Sequence, residues 1–302
     1  MDMNGLSAIL LEKIRYNCVV EFYNLLYLLA RKRQKIIPDV LSIDETIRRI
    51  VSTGASVSRF GDGEMLLIGG RPIRFQKEST LLSERLKEVM ASQQDGHLVC
   101  ISDTFEELSR YTRSARRFWR THFYLYGDLW DRYLVGGRTY GNTFITRPYI
   151  DFKLKEQSAG WFNMLKTIWN KRDLLVVEGE KSRLGVGNDL FDNAASIRRI
   201  LSPPLNAFEK YDLILEEVSK QDKGVLVLLA LGPTATVLAY DLHKIGYQAI
   251  DIGHVDIEYE WFRMGARRKV SVPSKYVNEA LTGREIGMTT EESYFSQIIC
   301  KI

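Results

Sequence analysis

Read for its apolar and polar positions, the chain alternates short apolar runs with longer amphipathic stretches. The runs "ASVSRF" (55–60), "HLVCISD" (97–103), "DLLVVEG" (173–179), "GVLVLLALG" (224–232) and "YQAIDIG" (247–253) are unbroken or nearly so. They lack the period-two alternation of a half-exposed strand, so they predict strands buried on both faces of a mainly parallel sheet. Between them, "LSIDETIRRIVSTG" predicts a helix capped by Ser42 or Asp44 and stopped at Gly54. "TFEELSRYTRSARRFWRTHF" predicts another, with Thr104, Glu106 and Glu107 at its start, and "PTATVLAYDLHKIG" a third. Strands alternating with helices make an α/β, Rossmann-like fold with helices on both faces of the sheet. Ligands of such sheets bind beyond the carboxyl ends of the strands.

The first forty residues fall outside this alternation and read as an N-terminal amphipathic helical appendage, leaving 41–302 as one domain. "CVVEFYNLLYLLARKRQK" joins an apolar run to a basic one, Arg31 to Lys35, but Glu21 and Asn24 interrupt the apolar part and it is too short to span a bilayer. Charged residues precede the run and no small-residue cleavage site follows it, so no signal peptide is expected. Two readings stand: a helix lying on an anionic membrane surface, or a helix packed on the domain or on a second copy of the chain. The expected location is cytoplasmic, on the inner face of the cell membrane if the first reading holds.

Composition narrows the function classes. A hydrophobic fraction of 45% and a charged fraction of 26% suit an ordinary globular protein. The net charge of +4 on 302 residues is too small for a nucleic-acid footprint, so no nucleic-acid partner is expected. Cys18, Cys100 and Cys300 are widely spaced and follow no metal-ligand pattern, which fits reduced thiols.

Four of the predicted strand ends carry unusual residues. "SRFGDGEMLLIGG" puts Asp62 and Glu64 on either side of a glycine, just after a strand and beside Arg59. Two such carboxylates suit a hard cation, Mn²⁺ or Mg²⁺, that shares its shell between protein and phosphate oxygens; a surface turn would also contain Asp-Gly. "VEGEKSRLGVGNDLFDNA" follows an acidic strand end with Lys181 and Arg183, then Gly185 and Gly187, then Asn188 or Asp189 as the cap of a further helix. Lys and Arg there would hold a diphosphate, and the glycines would let backbone approach it. "LALGPTATVLAYDL" turns from strand to helix through Gly232, Pro233 and Thr234, a helix start suited to an anion although G-x-G-x-x-G is absent. "YGNTFITRPY" adds Arg147, with Asn142 and Thr143 as hydrogen-bonding groups. In "DIGHVDIEYEWF", His254 stands among Asp251, Asp256, Glu258 and Glu260; His254 or Asp256 is the candidate general base, although a solvated strand face would alternate in the same way. Tyr259, Trp261 and Phe262 fit core packing better than a sugar-stacking wall.

Taken in order, "SRFGDGEMLLIGG", "YGNTFITRPY", "EGEKSRLGVGNDLFDNA" and "LALGPTATVLAYDLHKIGYQAIDIGHVDIEYEW" resemble the bacterial glycosyltransferases of the GT-D fold. That family was first described as a domain of unknown function and is found with enzymes that glycosylate serine-rich adhesins. The resemblance runs from about Ile43 to Phe262 and on toward the C-terminus. It implies a UDP-sugar donor, a divalent cation such as Mn²⁺, a glycan or glycoprotein acceptor, and an Asp-x-Glu metal motif that maps onto Asp62 and Glu64. Two other readings compete with it. One is a nucleotide- or S-adenosylmethionine-dependent methyltransferase, with Asp251 on the ribose; the other is a non-catalytic adaptor that assists another glycosyltransferase. Both leave Asp62 and Glu64 without a task.

Overall fold

The computed structural model describes residues 3–30, 34–277, 279–280 and 291–302. In chain order the first elements are α1 (Met3–Ala30), β1 (Asp39–Val40), α2 (Ile43–Thr53), β2 (Ser56–Arg59), α3 (Asp62–Ile68), α4 (Thr80–Ala91), β3 (His97–Ile101), α5 (Arg113–Tyr133) and β4 (Thr139–Asn142). They are followed by α6 (Glu156–Lys166), β5 (Asp173–Gly179), β6 (Ser196–Ser202), α7 (Tyr211–Ser219), β7 (Leu226–Ala230), α8 (Pro233–Lys244), β8 (Gln248–Asp251), α9 (Val255–Arg263), α10 (Glu292–Gln297) and β9 (Ile298–Lys301). Among the described residues the strands form one parallel sheet in the order β1-β4-β3-β2-β8-β7-β5-β6-β9. This is the expected α/β architecture. From β2 the chain moves through β3 to β4 on one side, while β8, β7, β5 and β6 lie on the other. The crevice at the carboxyl ends of β2 and β8 is therefore the natural ligand position.

Local chemistry explains most boundaries. Ser42 caps α2 and forms a reciprocal capping box with Glu45, and Gly54 closes the helix in the left-handed region. The strands of the centre are buried along their length, as unbroken apolar runs require.

Three expectations need correction. The helix expected from Thr104 begins at Arg113, capped by Thr112. Asp103 holds the intervening segment as a loop, through an ion pair to Arg110 at 2.5 Å and a hydrogen bond from the Tyr111 hydroxyl. No helix follows Asn188: its side chain accepts from Leu190 N–H as a cap would, but the chain makes only turns there and runs on into β6. "HVDIEYEWF" is not a strand face but α9, where the alternating acids part: Asp256 and Glu260, four apart, share one side and Glu258 takes another. Trp261 is fully buried there, in agreement with the core reading.

The second half of α1 packs on α5. Glu21 pairs with Arg117 at 2.8 Å, Thr121 donates to Val20 carbonyl, and the Tyr23 and Tyr124 rings lie 5.7 Å apart. Phe22, Leu25 and Leu29 remain exposed on its other side. Of the basic run, Arg31, Lys32 and Arg33 lie outside the described residues; Lys35 backbone N–H is held by Asp131. Among the described residues no helix is long and apolar enough to cross a membrane.

Candidate active site

β2 delivers Arg59 to the carboxyl edge, and Gly61 then lets the chain enter α3, whose first turn carries Asp62 and Glu64. Glu64 turns one oxygen back onto Gly61 N–H at 2.8 Å. Burial raises its carboxyl to about 7, against that hydrogen bond and the charge of Arg59. Arg59 is fixed by two hydrogen bonds to Asp251, from Nε to the carbonyl and from Nη2 to the carboxylate, both 2.8 Å. Gly253 makes this possible. It sits at φ +44°, and a Cβ there would lie 1.9 Å from Arg59 Nη2.

Asp62, Glu64, Arg59, Arg147 and His254 line one cavity of about 590 Å³. Burial lowers the His254 imidazole to about 4, so it is neutral with a free lone pair near pH 7. Arg147 lies 3.0 Å from both oxygens of Glu279 and within 4 Å of Asp151 and Glu258. Burial alone would weaken its charge, but Glu279, Asp151 and Glu258 more than offset this. Lys269 also pairs with Glu279, at 3.1 Å.

His254 and Phe75 also line a second, smaller cavity of about 120 Å³, which reaches Gly232, Asp256 and Tyr276. Gly232 is at φ +55°, and the Phe75 ring lies 2.6 Å from where its Cβ would stand. The helix start proposed as an anion site is thus covered by an aromatic ring. Thr234 behind it is buried, its hydroxyl without a hydrogen-bond partner.

The remaining sequence-predicted groups are gathered elsewhere. Both oxygens of Asp256 are taken by Lys275 Nζ at 2.9 and 2.7 Å, and one also accepts from Gly185 N–H and the Asn188 amide. Asp256 is thus held by four hydrogen bonds, two of them from a buried ammonium, which suits a structural role better than that of a base. Arg183 donates to Ser274 carbonyl and stands at φ +51°, while Lys181 carbonyl receives Tyr276 N–H and its side chain is exposed. Gly185, Gly187 and Asn188 line a separate depression with Arg199 and Tyr294. Asp251 is spent on Arg59 and the Thr236 hydroxyl, which leaves it unfit for a ribose. Asn142 is likewise used inside the fold, by Leu41, Asp103 and Phe144.

The sequence reading missed Gly253, Phe75, Lys275 and Glu279. Gly253 ends a predicted strand and could have been found from that position. Lys275 and Glu279 are long-range partners in a segment without periodicity, so nothing local marks them.

Residues 57–280 match the family described as glycosyltransferase GT-D fold. Over 266 residues the chain is 48% identical to a protein named probable glycosyl transferase Gly from Streptococcus gordonii, a match covering 87% of this chain and 39% of that protein. Over 264 residues it is 42% identical to glycosyltransferase GlyD of Streptococcus pneumoniae serotype 4, covering 87% and 32%. The chain thus spans less than half the length of these relatives. A solved structure described as a new glycosyltransferase (DUF1792) from Streptococcus sanguinis superposes with a TM-score of 0.84 and 44% identity, covering 88% of this chain and 99% of the other.

Proposed function

The chain belongs to the GT-D-fold glycosyltransferase family, and on that premise we propose that it moves a hexose from a UDP-sugar to a hydroxyl of a glycan or glycoprotein with the help of Mn²⁺ or Mg²⁺. The observation that carries the proposal is the meeting of Asp62 and Glu64 with Arg59, Arg147 and His254 around one cavity at the carboxyl edge of the sheet.

The donor set suits such a cation. Asp62 and Glu64 offer hard carboxylate oxygens, and among the described residues no group of three or more His, Cys, Asp or Glu side chains could hold an ion alone. Two carboxylates suit a cation that completes its shell with water and substrate phosphate. A positive charge beside Glu64 would also return that buried carboxyl to its ionised form. When bound, the cation supplies charge neutralisation for the departing diphosphate.

The protein's own groups do the rest. Arg59, immobilised by Asp251, keeps a positive charge beside Glu64 without reorganisation. Arg147 keeps its charge because three carboxylates surround it. In an inverting transfer, neutral His254 accepts the acceptor hydroxyl proton as that oxygen bonds to the anomeric carbon; the bond to the diphosphate breaks and its electron pair leaves with UDP. A retaining transfer has no need of that base. Neither competing reading uses the pair at Asp62 and Glu64.

The test is UDP release from a panel of UDP-sugars, with Mn²⁺ and with a chelator. Release from at least one sugar, lost on chelation, is the expected result. No release and no UDP binding by calorimetry would overturn the reading, and release unaffected by chelation would remove the cation from it.

A further inference from the structure

We propose that α1 and α5 together form the acceptor subsite, and that its ligand is a sugar residue; this rests on the glycosyltransferase reading above. Asn17 and Val20 of α1 and Ser114 and Phe118 of α5 line the same cavity as Asp62 and His254. The cavity therefore has two chemistries. One part of its lining is charged, from Arg59, Asp62, Glu64 and Arg147, and suits a phosphate-bearing donor. The other offers an amide, a hydroxyl, a methyl-bearing wall, a half-buried ring and the Arg117 guanidinium, itself paired with Glu21. That combination matches a neutral saccharide, whose apolar faces pack on rings while its hydroxyls take directed hydrogen bonds.

Two further observations bear on the assignment. Arg117, which also lines the cavity, is held by Glu21 of α1 at 2.8 Å, so an ion pair fixes the two helices against each other at the wall. In addition, α1 lies outside the 57–280 match, whereas Arg59, Asp62, Glu64, Arg147 and His254 all lie within it. The groups proposed for the chemistry thus lie inside that match, and α1 adds a wall from outside it, where selection among acceptors can differ without touching the donor.

The test uses the full chain, the UDP-sugar found to be its donor, and a panel of p-nitrophenyl hexosides as acceptors. Asn17→Ala and Phe118→Ala are the variants. Asn17 is exposed, so its truncation does not unpack the helix. Each should raise KM for the hexoside about 5- to 10-fold, the loss of one hydrogen bond or ring contact, while KM for the donor moves by less than about twofold. Unchanged acceptor KM in both folded variants would overturn the assignment. So would donor KM rising in step, which would give the wall to the donor sugar, or hydrolysis of the donor with transfer to no hexoside. If the wild-type chain neither binds UDP nor releases it, the glycosyltransferase reading itself fails and takes this one with it.

Discussion

Two charged clusters stand at the same edge of the sheet, and they differ in what their charges have left to do. Around Asp256, the acids Asp256 and Glu260 of α9 are matched by Lys275, Asn188 and Gly185 N–H, and the neighbouring Glu178 is matched by Arg199 at 2.6 Å and Leu184 N–H. This cluster ties three separate segments together: α9, the turn after β5, and residues 272–276. Around Asp62, the charges line a cavity instead, and Glu64 is left with a carboxyl raised to about 7. Both clusters look alike in sequence, as acids and bases near glycines. A buried charge that is fully paired holds structure, whereas one that faces open volume is placed for a ligand.

The comparison breaks most forcefully at Lys275. Its ammonium is 3% exposed and bridges Asp256 and Glu260, so Lys275→Ala strands two buried carboxylates. The expected cost is about 3–5 kcal/mol of unfolding free energy, the usual result of removing one partner of a buried pair. Denaturant unfolding measures it. Adding Asp256→Asn to the variant should recover part of the loss, because the neutral amide needs no counter-charge. A cost below about 1 kcal/mol would mean that the cluster is solvated and does not staple the segments.

At the other cluster the effect should appear in turnover and not in stability. Asp62→Asn keeps the size of the side chain and removes its charge. Turnover should fall by at least ~100-fold, with the unfolding midpoint little changed. Steady-state UDP release beside a thermal melt decides this, and full activity in a folded variant would remove Asp62 from the cation site.

The sequence disclosed these two clusters unequally, for physical reasons. Asp62 and Glu64 were legible because a strand, a glycine and two acids are local neighbours, and local order is what a sequence displays. The central strands were legible because burial on both faces leaves an apolar run. The 181–188 loop has the sequence of a diphosphate site, since Lys181, Arg183 and two glycines are what such a site needs. In the fold Arg183 donates to Ser274 and Lys181 accepts from Tyr276, roughly ninety residues away, and long-range pairing leaves no local mark. The acids of α9 failed similarly: a spacing of two fits a strand, and only the packed helix shows that Asp256 and Glu258 face different neighbours.

Titration sharpens the comparison at a smaller scale. Glu64 is protonated up to about pH 7 in the folded chain, while in the unfolded chain it ionises near 4.5. Between those values the native state holds the extra proton, so its stability falls as pH rises and levels off above about 7. Glu64→Gln removes that slope, a difference on the order of 1–2 kcal/mol after allowing for contact with cavity water. Glu258, also raised to about 7 by burial, contributes the same slope to both proteins and cancels. Added Mn²⁺ at pH 8 should raise the melting temperature of the wild type and not of the variant. Parallel stability curves for the two proteins would show that Glu64 is already ionised and paired.

The smallest effect is expected at Arg183. As a diphosphate ligand it would contribute about 1.5–3 kcal/mol through charge-assisted hydrogen bonds, and Arg183→Ala would weaken UDP binding by tenfold or more. In the fold its guanidinium reaches Ser274 carbonyl at 2.8 Å, on the side of the paired cluster, and it does not line the cavity that holds Asp62. Its backbone stands at φ +51°, where a side chain other than glycine carries strain. Arg183→Ala should therefore change UDP affinity by less than about fivefold, through a slight loosening of residues 272–276. Arg183→Gly should bind UDP as the alanine variant does, while recovering some stability from relief of the strain. Calorimetric titration of UDP into the three proteins reads the outcome. A loss of tenfold or more in Arg183→Ala, with Lys rescuing part of it, would move this loop from the paired cluster to the ligand and erase the distinction between the two.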